Sequence, residues 1–273
     1  MIDLSSIDAS IAVDPPRIML YGTPKVGKTT FASSIPNNLL LDVEGGSGAV
    51  NVARVTQNQL QDYDSFLEVL KQVYEQKHSF SCLTIDTADE LERLIFLKAA
   101  QEHGKQSIAD VGYGAGYVTA QNLWKQVLQG LDLLCHEKRM TILLISHDVV
   151  RRHDDPLTES YDRYNISLHD RTVGLVKSWA DIIAFVNNEV FVKSEDVGFK
   201  QKVVKAKGGE RIMHLVESPA YIAGNRYGMA DEIPFNWNSL IESISRALNK
   251  DETAPSSETS MKGASKKANK KGE

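Results

Sequence analysis

The stretch YGTPKVGKTT, residues 21–30, follows directly on the apolar run RIML at 17–20. Its residues 22–29 fit the pattern G-x-x-x-x-G-K-[ST]. Glycines at the first and sixth positions let successive backbone N–H groups turn inward on a polyphosphate with no Cβ in the way. The pattern assigns nucleotide phosphates to Gly22, Thr23, Pro24, Lys25, Val26, Gly27, Lys28 and Thr29, with Thr30 directly after them. Within it, Lys28 reaches the β- and γ-phosphates and Thr29 holds Mg²⁺. Lys25 is either a further cation near the phosphates or a solvent-exposed loop residue. The strand-like run before the loop and TFASSI at 30–35, able to open a helix after it, supply the expected context. A helix N-terminus there adds partial positive charge to the site. An ordinary glycine-rich turn is the competing reading.

Outward from this loop, apolar runs and helical periodicities alternate. LLLDV at 39–43 reads as a buried parallel strand, and a helix follows over 65–76, with Phe66, Leu67, Leu70, Val73 and Tyr74 on one side. SCLTID at 81–86 is the next strand, then a helix over 87–103 with Leu91, Leu94, Ile95 and Leu97 as its apolar side. Leu123, Val127, Leu131 and Leu134 mark another helix, which leads into the strand TILLIS at 141–146. This order predicts an α/β fold with a mainly parallel sheet flanked by helices and joined by right-handed crossovers. Ligands of such sheets sit beyond the carboxyl ends of the strands. After residue 181 the pattern changes. Short strands from Ile182, Val190, Lys202 and Ile212 are separated by Asn187-Asn188, SEDVG and Gly208-Gly209, which predicts hairpins forming an antiparallel C-terminal edge. A last helix over 239–248 completes a single domain, 1–249. Residues 250–273, rich in Lys, Ser, Ala and Glu, read as a disordered tail.

Composition narrows the function classes. With 273 residues, 42% hydrophobic and 25% charged, the chain can bury a full core. A net charge of −5 lacks the basic surplus of a wholesale nucleic-acid binder, so any DNA contact is local. Cys82 and Cys135 each lie in apolar sequence and read as buried thiols. No apolar run approaches the ~20 residues of a membrane span, and MIDLSS lacks the regions of a signal peptide, so a cytoplasmic protein without membrane partners is expected.

Two carboxylates join the phosphate loop. Asp86 ends a strand, where it either binds Mg²⁺ through water or leads into the helix after it as an N-cap. Glu44 lies just past the strand that follows the loop's helix. It is either the group that orients or deprotonates the attacking water or a carboxylate in solvent.

The order of these elements resembles the RecA/KaiC/RadA class of ATPases, in which the catalytic Glu follows the strand after the phosphate loop. Many AAA-type ATPases place it beside the strand-ending Asp, and here Thr87 stands there. The chain more narrowly resembles a group of AAA-type, RecA-like nucleotide-binding proteins of phages and prophages that includes RecA-like single-strand annealing proteins. The likeness rests on GTPKVGKTTFA, LLDVEGG, TIDTADEL, VGYGAGY, ISHD, ESYDRY and WADIIAF in this order and spacing. It implies a RecA-like P-loop NTPase core and a Mg²⁺-dependent ATPase, DNA-stimulated and located in the host cytoplasm when phage-encoded. The implied activity is recombination or strand annealing on single-stranded DNA, with self-assembly into a ring or filament and a single-strand-binding protein as a further partner. It also implies that His147 senses the γ-phosphate.

The segment 149–171 occupies the position of the DNA loop of that class. Arg151, Arg152, Arg163 and Tyr164 suit phosphates and unstacked bases, but Asp154, Asp155, Glu159, Asp162 and Asp170 offset them, so a solvated or interface loop fits equally. VGYGAGY at 111–117 is a flexible aromatic platform or a packed turn. AGNRYG at 223–228 resembles an element of RadA, with Gly224 where its Lys would be. That makes Arg226 a candidate finger for a neighbour's ATP or a plain surface arginine, with Lys205 and Lys207 as rivals. The lysines of 261–271 either add salt-sensitive affinity for nucleic acid or keep the tail soluble. The alternative to DNA work is a nucleotide-dependent loader or regulator of a replication protein, a helicase or a single-strand-binding protein, with no DNA contact of its own.

Overall fold

Side chains alternate across a strand, and in β1 (Arg17–Gly22) both sets are apolar. Ile18 and Leu20 pack into one core and Met19 and Tyr21 into another, so β1 sits where helices can cover both its faces. The structure, a computed structural model, describes residues 14–196 and 202–252, without the side chains of 190–208 and 250–252. The remaining elements, in chain order, are α1 (Lys28–Ser33), β2 (Asn38–Asp42), β3 (Ala53–Val55), α2 (Tyr63–Glu75), β4 (Cys82–Asp86), α3 (Ala88–Glu102), α4 (Ala115–Lys138), β5 (Thr141–His153), β6 (Tyr161–Ile166), α5 (Asp170–Trp179), β7 (Ile182–Asp196), β8 (Lys202–His214), β9 (Gly224–Asn225), β10 (Glu232–Pro234) and α6 (Trp237–Glu252).

The sheet runs β10-β8-β7-β1-β5-β4-β2-β3. From β7 to β3 every pair is parallel, while β8 and β10 add an antiparallel edge. The expected α/β architecture is therefore present. Phe66, Leu91, Ile95, Trp124, Leu131 and Val176, from α2 to α5, fill the core on one face. Phe31, Ala32, Leu240 and Ile244, from α1 and α6, fill the other. Each of the larger side chains taken from water contributes about 1.5–3 kcal/mol before entropy is counted. Among the described residues no helix is long and apolar enough to cross a membrane, and Cys82 and Cys135 are buried free thiols.

Three sequence expectations change. The strand expected to stop at residue 146 continues to His153 and turns back as a hairpin, with Asp148 opposite Ile166 and His153 opposite Tyr161. The four short strands expected after residue 181 are two long ones. The ladder absorbs Asn187 and Asn188 opposite Ile212 and Arg211, with a register shift before Val190. Asn187 is further held by a 2.9 Å hydrogen bond between its Oδ1 and His214 Nε2, so a turn-forming residue sits inside a strand. Finally, α6 runs to Glu252, past the expected domain end; residues 253–273, with the lysines of the tail, lie outside the described residues.

Candidate functional site

β1 has β5 on one side and β7 on the other, while the chain leaving it crosses β5 and β4 to reach β2. A crevice opens beyond the carboxyl ends at such a switch point. Gly22 closes β1 there, and a Cβ on it would lie 2.0 Å from the Val186 carbonyl oxygen, so only glycine lets β1 and β7 run side by side. Gly27 has φ 103°, and a Cβ there would lie 2.6 Å from Arg211 Nη1. The helix that follows is six residues long and opens at Lys28, which puts the free N–H groups of its first turn next to the loop. Lys28 and the backbone N–H groups of the loop add to the positive potential there.

Lys28 is 7% exposed. Its ammonium donates to the carbonyls of Gly22 at 2.7 Å and Thr23 at 3.1 Å. Burial lowers its pKa, opposed by the field of Asp148, Asp86, Asp89 and Glu44. None of these carboxylates forms an ion pair with it among the described residues, so the cation is parked on dipoles. Lys25 stands exposed on the rim.

Thr29 Oγ1 donates to Asp86 Oδ2 at 2.8 Å. Asp86 is 4% exposed, and burial pushes its pKa up to about 6 against the Thr29 hydrogen bond, with Glu44 and Asp42 adding to the rise. An acid kept out of water among like charges is built to meet a cation. The hydroxyl and carboxylate oxygens of Thr29 and Asp86 are the hard donors that suit Mg²⁺. Asp86 is not a helix cap: Thr87 takes that place, its Oγ1 accepting from Glu90 N at 3.4 Å.

Asp42 shapes the next corner. One of its oxygens accepts from Gly45 N at 2.8 Å and Gly46 N at 3.0 Å, the other from Ser47 Oγ at 2.6 Å. This holds the turn carrying Glu44, whose own N–H bonds the Asp86 carbonyl at 3.1 Å. Glu44, Lys28, Thr29, Asp86 and His147 line one cleft of about 450 Å³. His147 ends the strand pairing of β5 with β1, opposite Gly22. Asp89 grips it twice, at the backbone N–H (3.1 Å) and at Nδ1 (2.8 Å). Nε2 is then the ring nitrogen with no partner among the described residues. The Asp89 hydrogen bond raises the His147 pKa, and although burial opposes it, the same contact holds Asp89 below the usual carboxylate range. Sequence reasoning passed over Asp42 and Asp89. The signals were a carboxylate ahead of Gly-Gly and a second Asp one turn beyond Asp86.

The other expected residues lie apart from this cleft. Arg163 is a buried side chain, 8% exposed, donating to Glu217 at 2.6 Å and to the Tyr221 carbonyl at 2.9 Å. Tyr164 stacks on Phe185 with ring centroids 5.0 Å apart. Arg151 is paired with Asp170 and with the Leu168 carbonyl. Arg152 is well exposed, 3.5 Å from Asp154. Residues 149–171 are thus largely a β-hairpin in which Arg151, Arg152 and Arg163 each meet a carboxylate. In VGYGAGY, Gly116 packs tightly on Ile108 and Val111, while Tyr113 is fully exposed at φ 55°. Arg226 binds Asp181 at 2.8 Å beside Arg17, at the opposite end of β1 from the loop. The side chains of Lys205 and Lys207 lie outside the described residues.

A glycine loop closing the central strand, with its lysine and threonine facing a carboxylate two strands away, defines a P-loop NTPase core. Consistent with this, a family model described as an AAA domain matches residues 14–227, and the chain belongs to that family of AAA-type P-loop ATPases. No curated protein matches it.

Proposed function

We propose that the protein hydrolyses ATP with Mg²⁺ and passes the state of the nucleotide to the β5–β6 hairpin. The observation that carries this is His147. It stands in the phosphate cleft, clamped by Asp89, and the hairpin strand continues directly from it. Lys28 leaves its two carbonyls for the phosphates and stabilises the charge that develops on them. Thr29 and Asp86 would hold the metal, which when bound would neutralise phosphate charge. Glu44 takes or orients the proton of the attacking water. His147, with Nδ1 fixed, directs Nε2 toward the γ-phosphate region.

Single-stranded DNA, in phage recombination or strand annealing by a self-assembling protein, is the setting the RecA-like resemblance favours, with Arg152 as the exposed arginine of the hairpin. A second reading draws support from the pairing of Arg151 and Arg163: a nucleotide-dependent loader or regulator of a replication protein, touching that protein rather than DNA. ATP hydrolysis measured with Mg²⁺, with and without single-stranded DNA and with Lys28→Ala as control, separates them. DNA-stimulated turnover lost in Lys28→Ala supports the first; turnover indifferent to DNA supports the second. Turnover persisting in Lys28→Ala would sink both.

A further inference from the structure

Beside the phosphate cleft lies a second and larger one, of about 600 Å³. Gly27 and Thr30 line both, so the two adjoin at the start of α1. The far wall comes from the antiparallel edge of the sheet: Asn188 on β7, Arg211 on β8, and Phe235 just after β10. We propose that this cleft is the nucleoside subsite, taking the base and ribose of the nucleotide whose phosphates the loop holds, with Arg211 and Phe235 as its specificity-determining walls. The inference rests on the nucleotide reading of the loop and extends it to the half of the ligand that the phosphate motif does not touch.

Three observations carry it. Phe235 is fixed in place: its ring lies parallel to that of Phe31 at 4.8 Å, and Trp237 meets Phe31 edge-on at 6.1 Å. A half-buried aromatic held in this way presents apolar surface to a ligand at little entropic cost. Arg211 is tied to the loop by one hydrogen bond, from Nη1 to the Val26 carbonyl at 3.1 Å. It is exposed, and among the described residues no carboxylate pairs with it. A guanidinium with its plane unclaimed, beside an aromatic ring and the Asn188 amide, offers stacking and hydrogen bonds that suit a nucleobase and ribose. A compact ammonium would offer charge alone. Lastly, the absence of a Cβ at Gly27 is what admits the guanidinium to the loop, so the residue that shapes the phosphate turn also sets the position of this wall.

The test compares ATP with inorganic tripolyphosphate, which has the phosphates and lacks the nucleoside. Binding of each, with Mg²⁺, is measured by calorimetry on the full chain for the unaltered protein, Arg211→Ala, Arg211→Lys and Phe235→Ala. Losing one stacked guanidinium or ring is expected to weaken ATP about fivefold to tenfold. Tripolyphosphate should stay within about twofold in every variant. Arg211→Lys is expected to behave as Arg211→Ala, because it keeps the charge and loses the plane. Arg211 is exposed, so its variants read the site even where Phe235→Ala disturbs packing. Unchanged ATP affinity in Arg211→Ala would overturn the proposal, as would equal weakening of ATP and tripolyphosphate, which would make Arg211 a phosphate contact. Binding of neither ligand by the unaltered protein would instead defeat the nucleotide reading itself, and this subsite with it.

Discussion

The two ends of β1 carry opposite kinds of charge chemistry. At its start, Arg17 gives its backbone N–H and Nε to Asp181 at 3.0 Å each, Nη2 to the same carboxylate at 2.9 Å, and Nη1 to Asp132 at 2.9 Å. Trp179 donates to Asp132 at 2.7 Å and lies under the guanidinium, and Arg226 adds a further cation to Asp181. Nearly every charge there has its partner. At the far end, Lys28 rests on carbonyls, and Asp86 is an acid that burial makes reluctant to ionise. A satisfied network holds a fold, whereas charges withheld from one another at close quarters are kept for a ligand.

The sharpest way to break that contrast is at Lys28. Lys28→Ala should cut hydrolysis on the order of 10³-fold, with a melting temperature close to that of the unaltered protein. Glu44→Gln should retain ATP binding and turn over poorly. Comparable instability and no change in turnover would make this end structural too. At the other end, Arg17→Ala should cost about 3 kcal/mol of unfolding free energy in a urea titration, since among the described residues it leaves Asp132 with Trp179 alone and Asp181 with the exposed Arg226 as its only cation, while ATP affinity stays as it was.

Asp86 sharpens the comparison through pH. Its folded pKa of about 6 lies above the ordinary 3.8, so between those values the folded state binds more protons than the unfolded one. Stability without metal therefore falls as pH rises through this window and stays lower above it. Asp86→Asn removes that cost and should stabilise the metal-free protein on the order of 2 kcal/mol at neutral pH, while Mg²⁺-dependent turnover is lost. In the unaltered protein Mg²⁺ has to displace the Asp86 proton, so Mg²⁺ affinity should weaken as pH falls below about 6. A metal-free Asp86→Asn protein less stable than the parent would contradict this.

The smallest effect is at Asp89. Asp89→Asn should bring the His147 titration, followed by NMR, down toward the ordinary histidine value. The sign follows from the raised folded pKa: with Asp89 ionised, the pair's stabilisation is complete below the ordinary histidine value and is lost as pH rises through the folded pKa, and at the acid end it is lost as Asp89 takes up a proton. An unmoved titration would mean that the carboxylate does not hold the imidazolium.

Much of the site could be read in the sequence because each part sits at the end of an apolar run. Lys28 and Thr29 follow β1, Glu44 follows β2, Asp86 ends β4, and His147 follows the TILLIS run of β5. Strand ends are local events, marked where apolar residues stop. The β5–β6 hairpin was harder to see, since its arginines and tyrosines resemble a binding loop until their pairing is known. Neither VVRRH nor YDRYNI alternates apolar and polar residues, so exposure alternates along 149–153, and Arg163 is buried, only once the two strands pair.

The sequence by itself determined the phosphate loop, the strand–helix alternation and the carboxylates at strand ends, because these depend on neighbours a few residues apart. Only the tertiary structure decided which charges are answered. Arg17 meets Asp181 across 164 residues, Arg163 meets Glu217 across 54, and Arg211 meets the Val26 carbonyl across 185. Such meetings follow from the order of strands in the sheet. The physical difference between a buried structural arginine and one open to a ligand is whether that order brings a carboxylate to its side.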